Sequence, residues 1–400
     1  MPSQSTFARR NFLKRSGLGA VGLGITRSTA AEPAASPRAC TTSPLTIRQV
    51  RIRHTVMPCR AHFSYGSATD FKSFFVGLRS GDTWGWGELV SSAPSGALDK
   101  AAVSMLGKDA ARLDTLLDPN GPNGANEVLS QALHDLVGRV MGVSISRLIG
   151  GAARTRIPVM PCLFPESAED AGKKARAFAE QGYQSLKFKT YGKIDEDLAH
   201  LRAIRANVPT GFILQADANC GYLDPKAFRD DYLEAFARQG LDIFEDPIKG
   251  THTDYAALRG RTQVKIMVDI AARSNDGVRE ILRSNSADIV NQHPNHQGGY
   301  ARSLMRANAC ELMGVPVWAG GTGYSGVGLG HWLHLASTRG LSLPSGEVGG
   351  WLDHAFADRL LASHPLPENG FVKLPDGPGS GVELDEAKMP GFSDSDETHK

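Results

Sequence analysis

The sequence predicts an α/β fold in which a barrel of seven or eight strand–helix units follows a smaller α+β domain. Five short, largely apolar runs recur between Ser185 and His293, and segments with helical apolar spacing separate them. The residues that end these runs lie 28, 28, 24 and 24 positions apart. Repeated strand–helix units of this period are typical of a (β/α) barrel. A different pattern fills residues 45 to about 155 and predicts the smaller domain.

Each of the five runs ends on a polar residue of the kind that active sites use. The runs read SLKFKTY, ILQADAN, DIFEDP, VKIMVDI and DIVNQH. Their polar ends are Lys189, Asp217, Glu245, Asp269 and His293. Because the C-terminal ends of barrel strands form the active face, these side chains should converge on one mouth.

Residues 1–44 are expected to be an export signal and a linker rather than part of the fold. Arg9 and Arg10 precede an aromatic residue, a leucine and a lysine, and a short Gly/Ala-rich run leads to Ser28-Thr29-Ala30. This order resembles a bacterial twin-arginine signal, with a basic, disordered N-terminus as the alternative. The run is too short to span a membrane. The expected location is therefore periplasmic or extracellular.

Composition excludes some classes of partner. A formal charge of +2 with 22% charged residues gives no basic stripe, so nucleic acid is not expected to bind. The five cysteines are scattered without metal-type spacing, and their odd number argues against a disulfide framework.

The smaller domain, residues 45–155, reads as a three-stranded meander followed by helices. Leu45–Val56 alternates apolar and polar residues, Phe71–Arg79 predicts a second strand, and the turn Gly81–Glu88 leads into a third. Leu98–Gly150 is helical in pattern. Met57–Thr69 is expected to be a lid or specificity loop, or else an ordinary hairpin loop.

The barrel is expected to occupy residues 156–370. Its first strand is predicted at Arg156–Cys162, its seventh at Val315–Trp318 and its eighth near Leu341–Leu343, with a last helix at His354–Leu361.

Residues 371–400 are expected to return to the smaller domain and to end in a polar tail. Gly370–Leu374 predicts a strand that joins that domain, and Phe392–Lys400 predicts a frayed end.

Several motifs together resemble the enolase superfamily, and within it the mandelate racemase / muconate lactonizing enzyme family. They are the Trp84–Glu88 turn, the Lys187-Phe188-Lys189 pair, the three carboxylates and the segment Pro375–Gly379. The resemblance covers residues 45 to 390. It implies a (β/α)7–8 TIM-like barrel with an N-terminal α+β capping domain. It also assigns Lys189 as the catalytic base and Lys187 as the neighbour that tunes it.

The three carboxylates Asp217, Glu245 and Asp269 are predicted to hold Mg²⁺, with Mn²⁺ as the second choice. Carboxylates are hard oxygen ligands, and no His-x-His or His-Glu-x-x-His pattern favours zinc. Crowded at one mouth without a cation, they would repel one another. For each one alone, the alternative is a helix cap or a surface ion pair.

Lys189 is the predicted base for removing the proton next to a substrate carboxylate. That step leaves an enediolate, which a divalent ion stabilises. Strand alternation places Lys187 on the same side, and its charge is expected to lower the pKa of Lys189. The alternative is a lysine that snorkels from a strand end.

His293 departs from the family pattern. Muconate-lactonizing relatives carry a second lysine there, and mandelate racemase carries an aspartate. Trp318–Gly321 offers no histidine, so an Asp–His dyad cannot form. We expect His293 to act as acid or base on the opposite face, with His296 as a weaker candidate and a structural histidine as the alternative.

Further residues are predicted to line the pocket. Asn219, two residues past Asp217, should face it and orient a ligand. The other predicted substrate contacts, each of which could equally be a packing residue, are Tyr65, Tyr191, Trp318 and Tyr324.

The leading hypothesis is a racemase or epimerase of a small carboxylic acid or amino-acid derivative, which works through a metal-stabilised enediolate. The alternative is a dehydratase of an acid sugar or other hydroxy acid. Cycloisomerisation and a non-catalytic periplasmic binding role follow. The expected partners are a small-molecule carboxylate and further copies of the chain, because capped barrels are often homo-oligomers.

Overall fold

The described residues form an antiparallel sheet of four strands, a parallel sheet of seven and a small sheet of two. The computed structural model describes residues 45–90, 96–165, 167–321, 326–341, 346–347, 361–362, 365–388 and 393–400. The side chains of residues 57–62, 71, 294–295 and 393–395 lie outside this description. So do Tyr324 and residues 354–360 of the last helix predicted at His354–Leu361.

The N-terminal part forms a meander with a long helix packed on it. Its elements are β1 (Gln49–Phe63), β2 (Gly66–Ser80), β3 (Thr83–Val90), α1 (Gly96–Val103), α2 (Asn123–Met141) and α3 (Ile145–Leu148). In β3, the two glycines of the Trp-Gly-Trp-Gly motif lie against α2. A Cβ on Gly85 would stand 2.2 Å from Leu136 N, and one on Gly87 would stand 2.2 Å from Val128 O. The lack of side chains at these two glycines therefore allows β3 and α2 to approach each other closely.

The predicted loop at residues 57–69 is instead an extended hairpin arm. Strands β1 and β2 pair as far as Phe63 and Gly66, which leaves only Ser64 and Tyr65 as the turn. Gly66 has a φ of +146°, which its lack of a side chain permits. Phe63 forms the last pair of the arm, and Tyr65 lies in its turn.

The barrel sheet contains seven parallel strands that neighbour one another in chain order, as predicted. They are β5 (Cys162–Leu163), β6 (Ser185–Lys189), β7 (Ile213–Asp217), β8 (Ile243–Glu245), β9 (Lys265–Val268), β10 (Ile289–Gln292) and β11 (Val317–Ala319). A separate strand, β4 (Arg156–Pro158), precedes them, so the predicted first strand is broken in two.

Helices follow the strands and cover the barrel. They are α4 (Ala168–Glu180), α5 (Ile194–Arg205), α6 (Pro225–Ala227), α7 (Leu233–Arg238), α8 (His252–Leu258), α9 (Asn275–Ser284), α10 (Pro294–Gln297), α11 (Tyr300–Leu312) and α12 (Val327–Ala336). Within β6, Leu186 and Phe188 are buried in the main apolar core, while Lys187 and Lys189 alternate with them and face the opposite way. Within the described ranges, no helix combines the length and apolar character needed to cross a membrane.

Glu347 lies next to both end strands of this sheet, beside Met160 before β5 and beside Gly321 after β11. It forms a parallel bridge with Met160, and Met160 N donates to Gly346 O at 3.0 Å. The eighth strand predicted near Leu341–Leu343 falls mostly outside the described residues, of which Leu341 lies in no strand.

The C-terminal predictions need two corrections. Strand β12 (Phe371–Lys373) pairs with β4 rather than with the smaller domain, because Val372 and Ile157 bury each other in register. Residues 393–399 are not frayed: β13 (Ser393–His399) pairs antiparallel with β1 and completes a four-stranded sheet in the order β13-β1-β2-β3. Its Asp396 lies opposite Arg53 and pairs with Arg51, which joins an acidic strand to a basic one. The domain boundaries at residues 44, 155 and 370 stay predictions.

Candidate active site

The parallel strands bring the predicted polar ends to one end of the barrel. Lys189 is in register with Asp217, and Asp217 is in register with Glu245. Asp269 and His293 directly follow β9 and β10. The lysine and the three carboxylates are at most 5% exposed, and the His293 side chain is 12% exposed. Five charged or titratable groups therefore converge at one end of the barrel, as predicted.

The two lysines hold the first two carboxylates. Lys187 Nζ lies 2.9 Å from Asp217 Oδ2 and 2.7 Å from Glu245 Oε2. Lys189 Nζ lies 2.5 Å from Asp217 Oδ2 and 3.1 Å from Asn219 Oδ1. Asn219 has a φ of +44°, and its backbone N–H donates to Asp217 Oδ1 at 2.9 Å. The predicted pocket position of Asn219 therefore places it beside the candidate base.

Glu347 is a member of this cluster that the sequence did not reveal. Its Oε1 lies 2.5 Å from Lys187 Nζ, and its Oε2 accepts from Gly321 N at 2.6 Å. No apolar run marks it, and among the described residues one bridge, to Met160, ties its backbone to the barrel.

Lys189 has a raised pKa in this structure, contrary to the expectation that Lys187 would lower it. Burial disfavours the charged amine and Lys187 repels it, but the Asp217 carboxylate outweighs both. The expectation assumed that a metal ion would balance the charge of Asp217. The base would then face a less negative neighbour.

Two of the three predicted ligands, Glu245 and Asp269, lie where they could share a divalent cation. Burial, followed by the charge of Asp217, raises the pKa of Glu245 to about 7. Burial is the larger cause, and the Lys187 charge acts in the opposite direction. Glu245, Asp269 and His293 each offer a ligand atom, and these atoms lie within 4.8 Å of one another. The third predicted ligand, Asp217, is outside this group, and its Oδ2 faces both lysines instead. Buried carboxylate oxygens suit Mg²⁺ or Mn²⁺.

Amide and guanidinium groups orient these carboxylates. Gln215 and Asn291 donate to the two oxygens of Glu245 at 2.7 and 2.6 Å. Arg273 Nη2 lies 2.6 Å from Asp269 Oδ2. Sequence reasoning missed all three, because Gln215 and Asn291 lie inside apolar runs and Arg273 lies in a turn beyond the strand. The buried amides fix Glu245 without adding charge.

His293 lies next to Asp269, at the end of the neighbouring strand. Its Nε2 is 4.0 Å from Asp269 Oδ2, and its ring centroid is 6.2 Å from that of His296. Burial lowers the pKa of His293. Gly320, the glycine that follows β11, leaves space for the ring, because a Cβ there would stand 2.7 Å from Nε2.

The remaining predicted contacts occupy different places. Tyr65 is 74% exposed and stacks on Phe63, whose ring lies 5.3 Å from Lys189 Nζ. Trp318 is buried beneath Lys187 at 5.2 Å and packs in an interior apolar cluster. Tyr191 donates its hydroxyl to Pro165 O at 3.3 Å. Tyr324 lies outside the described residues.

Comparison with known proteins identifies the class to which this fold and site belong. The family model described as "Enolase C-terminal domain-like" matches residues 170–388. The chain belongs to the enolase superfamily, in its mandelate racemase / muconate lactonizing enzyme branch.

Relatives of known activity agree with this assignment. The chain is 25% identical to the N-succinyl-L-Arg/Lys racemase of Bacillus cereus over 82% of this chain and 93% of that protein. It is 29% identical to a chloromuconate cycloisomerase of Pseudomonas sp. over 78% and 87%. It is 27% identical to the o-succinylbenzoate synthase of Geobacillus stearothermophilus over 68% and 70%. The prediction of an isomerase or lyase of this family is confirmed.

Solved structures confirm the predicted capped barrel. The N-succinyl Arg/Lys racemase of Bacillus cereus has a TM-score of 0.81, with 22% identity over 89% of this chain and all of that one. A dipeptide epimerase of Cytophaga hutchinsonii, solved with Mg and a dipeptide, has a TM-score of 0.78, with 17% identity over 89% of this chain and all of that one. Members of the superfamily use Mg²⁺, and the donor set described above fits that ion.

Proposed function

We propose that this protein is a metal-dependent racemase or epimerase of a small carboxylic acid or amino-acid derivative. One observation carries the proposal. Lys189 ends β6, His293 follows β10, and the three strands between them carry Asp217, Glu245 and Asp269. In a closed barrel, strands four positions apart lie on opposite sides of the mouth. Two groups that can transfer protons therefore flank the carboxylates.

Asp217, Glu245 and Asp269 would hold the ion. When bound, it supplies positive charge where the substrate carboxylate becomes more negative as the α proton leaves. The protein side chains determine where that proton goes.

Lys189 takes the proton from the α carbon. Its amine is oriented by Asp217 Oδ2 and Asn219 Oδ1 and lies at the edge of the buried cluster, under the Phe63 ring. A general base must come within about 3 Å of the atom that carries the proton, and a fixed amine at the mouth meets that need. Lys187 is surrounded by three carboxylates, so it fixes charge rather than accepting the proton.

His293 returns a proton on the other face. Its Nε2 lies beside Asp269, and the absence of a side chain at Gly320 keeps that nitrogen clear. One C–H bond breaks on the Lys189 side and one forms on the His293 side. The substrate therefore changes configuration without gaining or losing atoms.

The relatives support an acylated amino acid as the first substrate class to test. Two of the proteins similar to this chain act as an N-succinyl-Arg/Lys racemase and a dipeptide epimerase. Both activities change configuration next to a carbonyl group. The buried lysines and the cation site suit the acid group common to such substrates.

Proton NMR in D₂O with Mg²⁺ tests the proposal directly. We expect pooled N-acyl amino acids, dipeptides or hydroxy acids to include one whose α-proton signal disappears while its configuration inverts. Lys189→Ala should abolish the exchange, whereas Lys193→Ala, which removes an exposed lysine paired with Glu196, should retain it. Exchange at the normal rate in Lys189→Ala would contradict the assignment of the base.

Dehydration of an acid sugar or other hydroxy acid is the second candidate. It is favoured by the imidazole of His293, since a histidine beside the mouth can protonate a departing hydroxyl. Lys189 would again remove the α proton. The same NMR experiment separates the two reactions, because dehydration would give a new 2-keto product. The similarity to a chloromuconate cycloisomerase keeps cycloisomerisation as a third reaction to test.

We also propose that residues 1–44 direct twin-arginine export and that the enzyme forms a homo-oligomer. Substitution of Arg9 and Arg10 by lysine should retain the protein in the cytoplasm, as fractionation would measure. Light scattering on the purified protein would give the number of subunits.

A further inference from the structure

One face of α2 carries three polar residues that bind the segment following His293. Asn123, Glu127 and Ser130 are spaced i, i+4 and i+7, so they lie on one side of the helix. Asn123 Nδ2 donates to His296 O at 2.8 Å, Glu127 Oε2 accepts from Gly299 N at 2.7 Å, and Ser130 Oγ accepts from Tyr300 N at 3.1 Å. We call these three residues the α2 polar stripe.

Asn123 also reaches the segment that follows Asp269. Its Nδ2 donates to Arg273 O at 3.1 Å in addition to His296 O. Its Oδ1 accepts from Arg302 Nη1 at 3.1 Å, so both ends of the amide are engaged. A single side chain from the N-terminal part therefore joins the turns after β9 and β10.

The joined turns carry one side of the candidate site. Asp269 precedes Arg273 by four residues, and His293 precedes His296 by three. Arg273 binds Asp269 through its guanidinium while Asn123 binds its backbone. None of these hydrogen bonds reaches the strands that carry Lys189 and Asp217.

The contact between stripe and barrel is close. Gly298 and Gly299 have φ values of +83° and +106°, and a Cβ on Gly299 would stand 2.9 Å from Ser130 Oγ. Glu127 is only 3% exposed, so its carboxyl lies where burial of a charge is unfavourable. A buried polar contact of this kind fixes geometry, because its partners must be in place to satisfy it.

We propose that the α2 polar stripe is a positioning device that holds the turns of Asp269 and His293 in register for proton transfer on the His293 face. Asn123 is its central positioning residue. The catalytic half of this inference rests on the function proposed above. The structural half, that Asn123 holds the two turns, does not.

Asn123→Asp is the test variant. It removes both amide donations but keeps an oxygen to accept from Arg302. Asn126→Asp is the matched control: the same substitution on the same helix removes a 2.7 Å donation to Asp118 O, which does not involve the barrel. Because each exchanges the same amide for a carboxyl, differences between them report the bonded partners.

Hydrogen–deuterium exchange by mass spectrometry measures the structural half. We expect the amides of residues 270–274 and 293–299 to exchange about 10-fold faster in Asn123→Asp than in the wild type, since buried hydrogen bonds are lost. Asn126→Asp should leave both segments unchanged. Unchanged exchange in Asn123→Asp would overturn the proposal.

Isotope exchange on the substrate measures the catalytic half. In Asn123→Asp, conversion to the other stereoisomer should fall at least about 10-fold, while α-proton washout from the isomer that faces Lys189 stays within about 2-fold. Asn126→Asp should change neither. An unaltered ratio of conversion to washout would overturn the role in proton transfer. A wild type that exchanges no acid would contradict the proposed function alone, and the amide exchange would still decide whether the stripe holds the turns.

Discussion

Gly320 lies directly against the imidazole of His293. A Cβ built on Gly320 would stand 2.7 Å from both Nε2 and Cδ2 of His293 and 2.4 Å from Asn291 Oδ1. The ring thus occupies the space that a side chain after the seventh strand would need. A histidine after the sixth strand and a glycine after the seventh are two parts of one arrangement.

Gly320→Ala should therefore displace His293 and reduce turnover. We expect conversion of the substrate to fall at least about 10-fold, with a loss of about 1–3 kcal/mol in the free energy of unfolding from overpacking. Steady-state kinetics and urea denaturation would measure the two effects. Gly96→Ala, where a Cβ meets nothing within 4 Å, is the control and should leave both unchanged. Full activity in Gly320→Ala would contradict a catalytic position for His293.

Lys187→Met should destabilise the protein strongly when metal is chelated. The substitution leaves Asp217, Glu245 and Glu347 buried without their shared cation. Removal of one partner from a buried ion pair costs about 3–5 kcal/mol. Thermal denaturation in EDTA would measure the loss, and added Mn²⁺ should raise the Tm more in Lys187→Met than in the wild type. The exposed pair of Lys193 with Glu196 provides the control, and Lys193→Met should change stability by less than about 1 kcal/mol. Equal metal-induced Tm shifts would contradict the charge balance described for the site.

Glu127→Gln should change how stability depends on pH. Burial is the main cause that raises the pKa of Glu127 to about 8, and the charge of Asp114 adds to it. Because the folded-state pKa lies above the unfolded one, this group's contribution is fully present below about pH 4.5 and is lost as the pH rises to about 8. Glutamine does not titrate and keeps an acceptor for Gly299 N.

The free energy of unfolding of Glu127→Gln relative to the wild type should therefore increase between pH 5 and pH 8, on the order of 2–4 kcal/mol. Urea denaturation at the two pH values measures this difference. If it is the same at both, Glu127 does not titrate in the predicted range.

Asp396→Asn should weaken the edge of the antiparallel sheet. Asp396 binds Arg51 through two nitrogens at 2.9 and 2.8 Å and lies 3.1 Å from the Nε of Arg53, whose side chain is only 2% exposed. Because the carboxylate itself is 36% exposed, we expect a loss of about 1–2 kcal/mol in the free energy of unfolding. Glu397→Gln, on the same strand, should cost less than about 0.5 kcal/mol. Equal effects of the two substitutions would show that the ion pairs contribute nothing specific.

The regular spacing of the apolar runs and the common direction of the strands were sufficient to predict most of the barrel. The five runs between Ser185 and His293 appear as β6 to β10, and their terminal residues meet, because parallel strands in chain order must end at one edge. The meander and α2 were predicted for similar reasons: alternation and helical spacing are local properties of the chain.

The elements that were missed or misplaced depend on contacts distant in sequence. Glu347 joins the site through one bridge to Met160, which no local pattern marks. The polar composition of the tail predicts a frayed end. Its pairing depends on the edge of β1, which offers complementary charge far away in the sequence. The direction of the Lys189 pKa likewise depended on the 2.5 Å approach of Asp217, a distance that strand periodicity does not give.

The pairing of β13 with β1 has a consequence for how the chain is made. Arg51 and Asp396 are 345 positions apart, with the whole barrel between them. The antiparallel sheet therefore cannot be completed during synthesis until residue 399 has been made, long after β1, β2 and β3 are available to pair. Until then, one edge of β1 exposes unpaired backbone groups, together with an arginine that is buried in the folded protein. Any other strand could pair with that edge. Partial chains should therefore be prone to associate through that edge. A protein fused directly after Lys400 would add its bulk next to β13, the strand that covers the edge of β1.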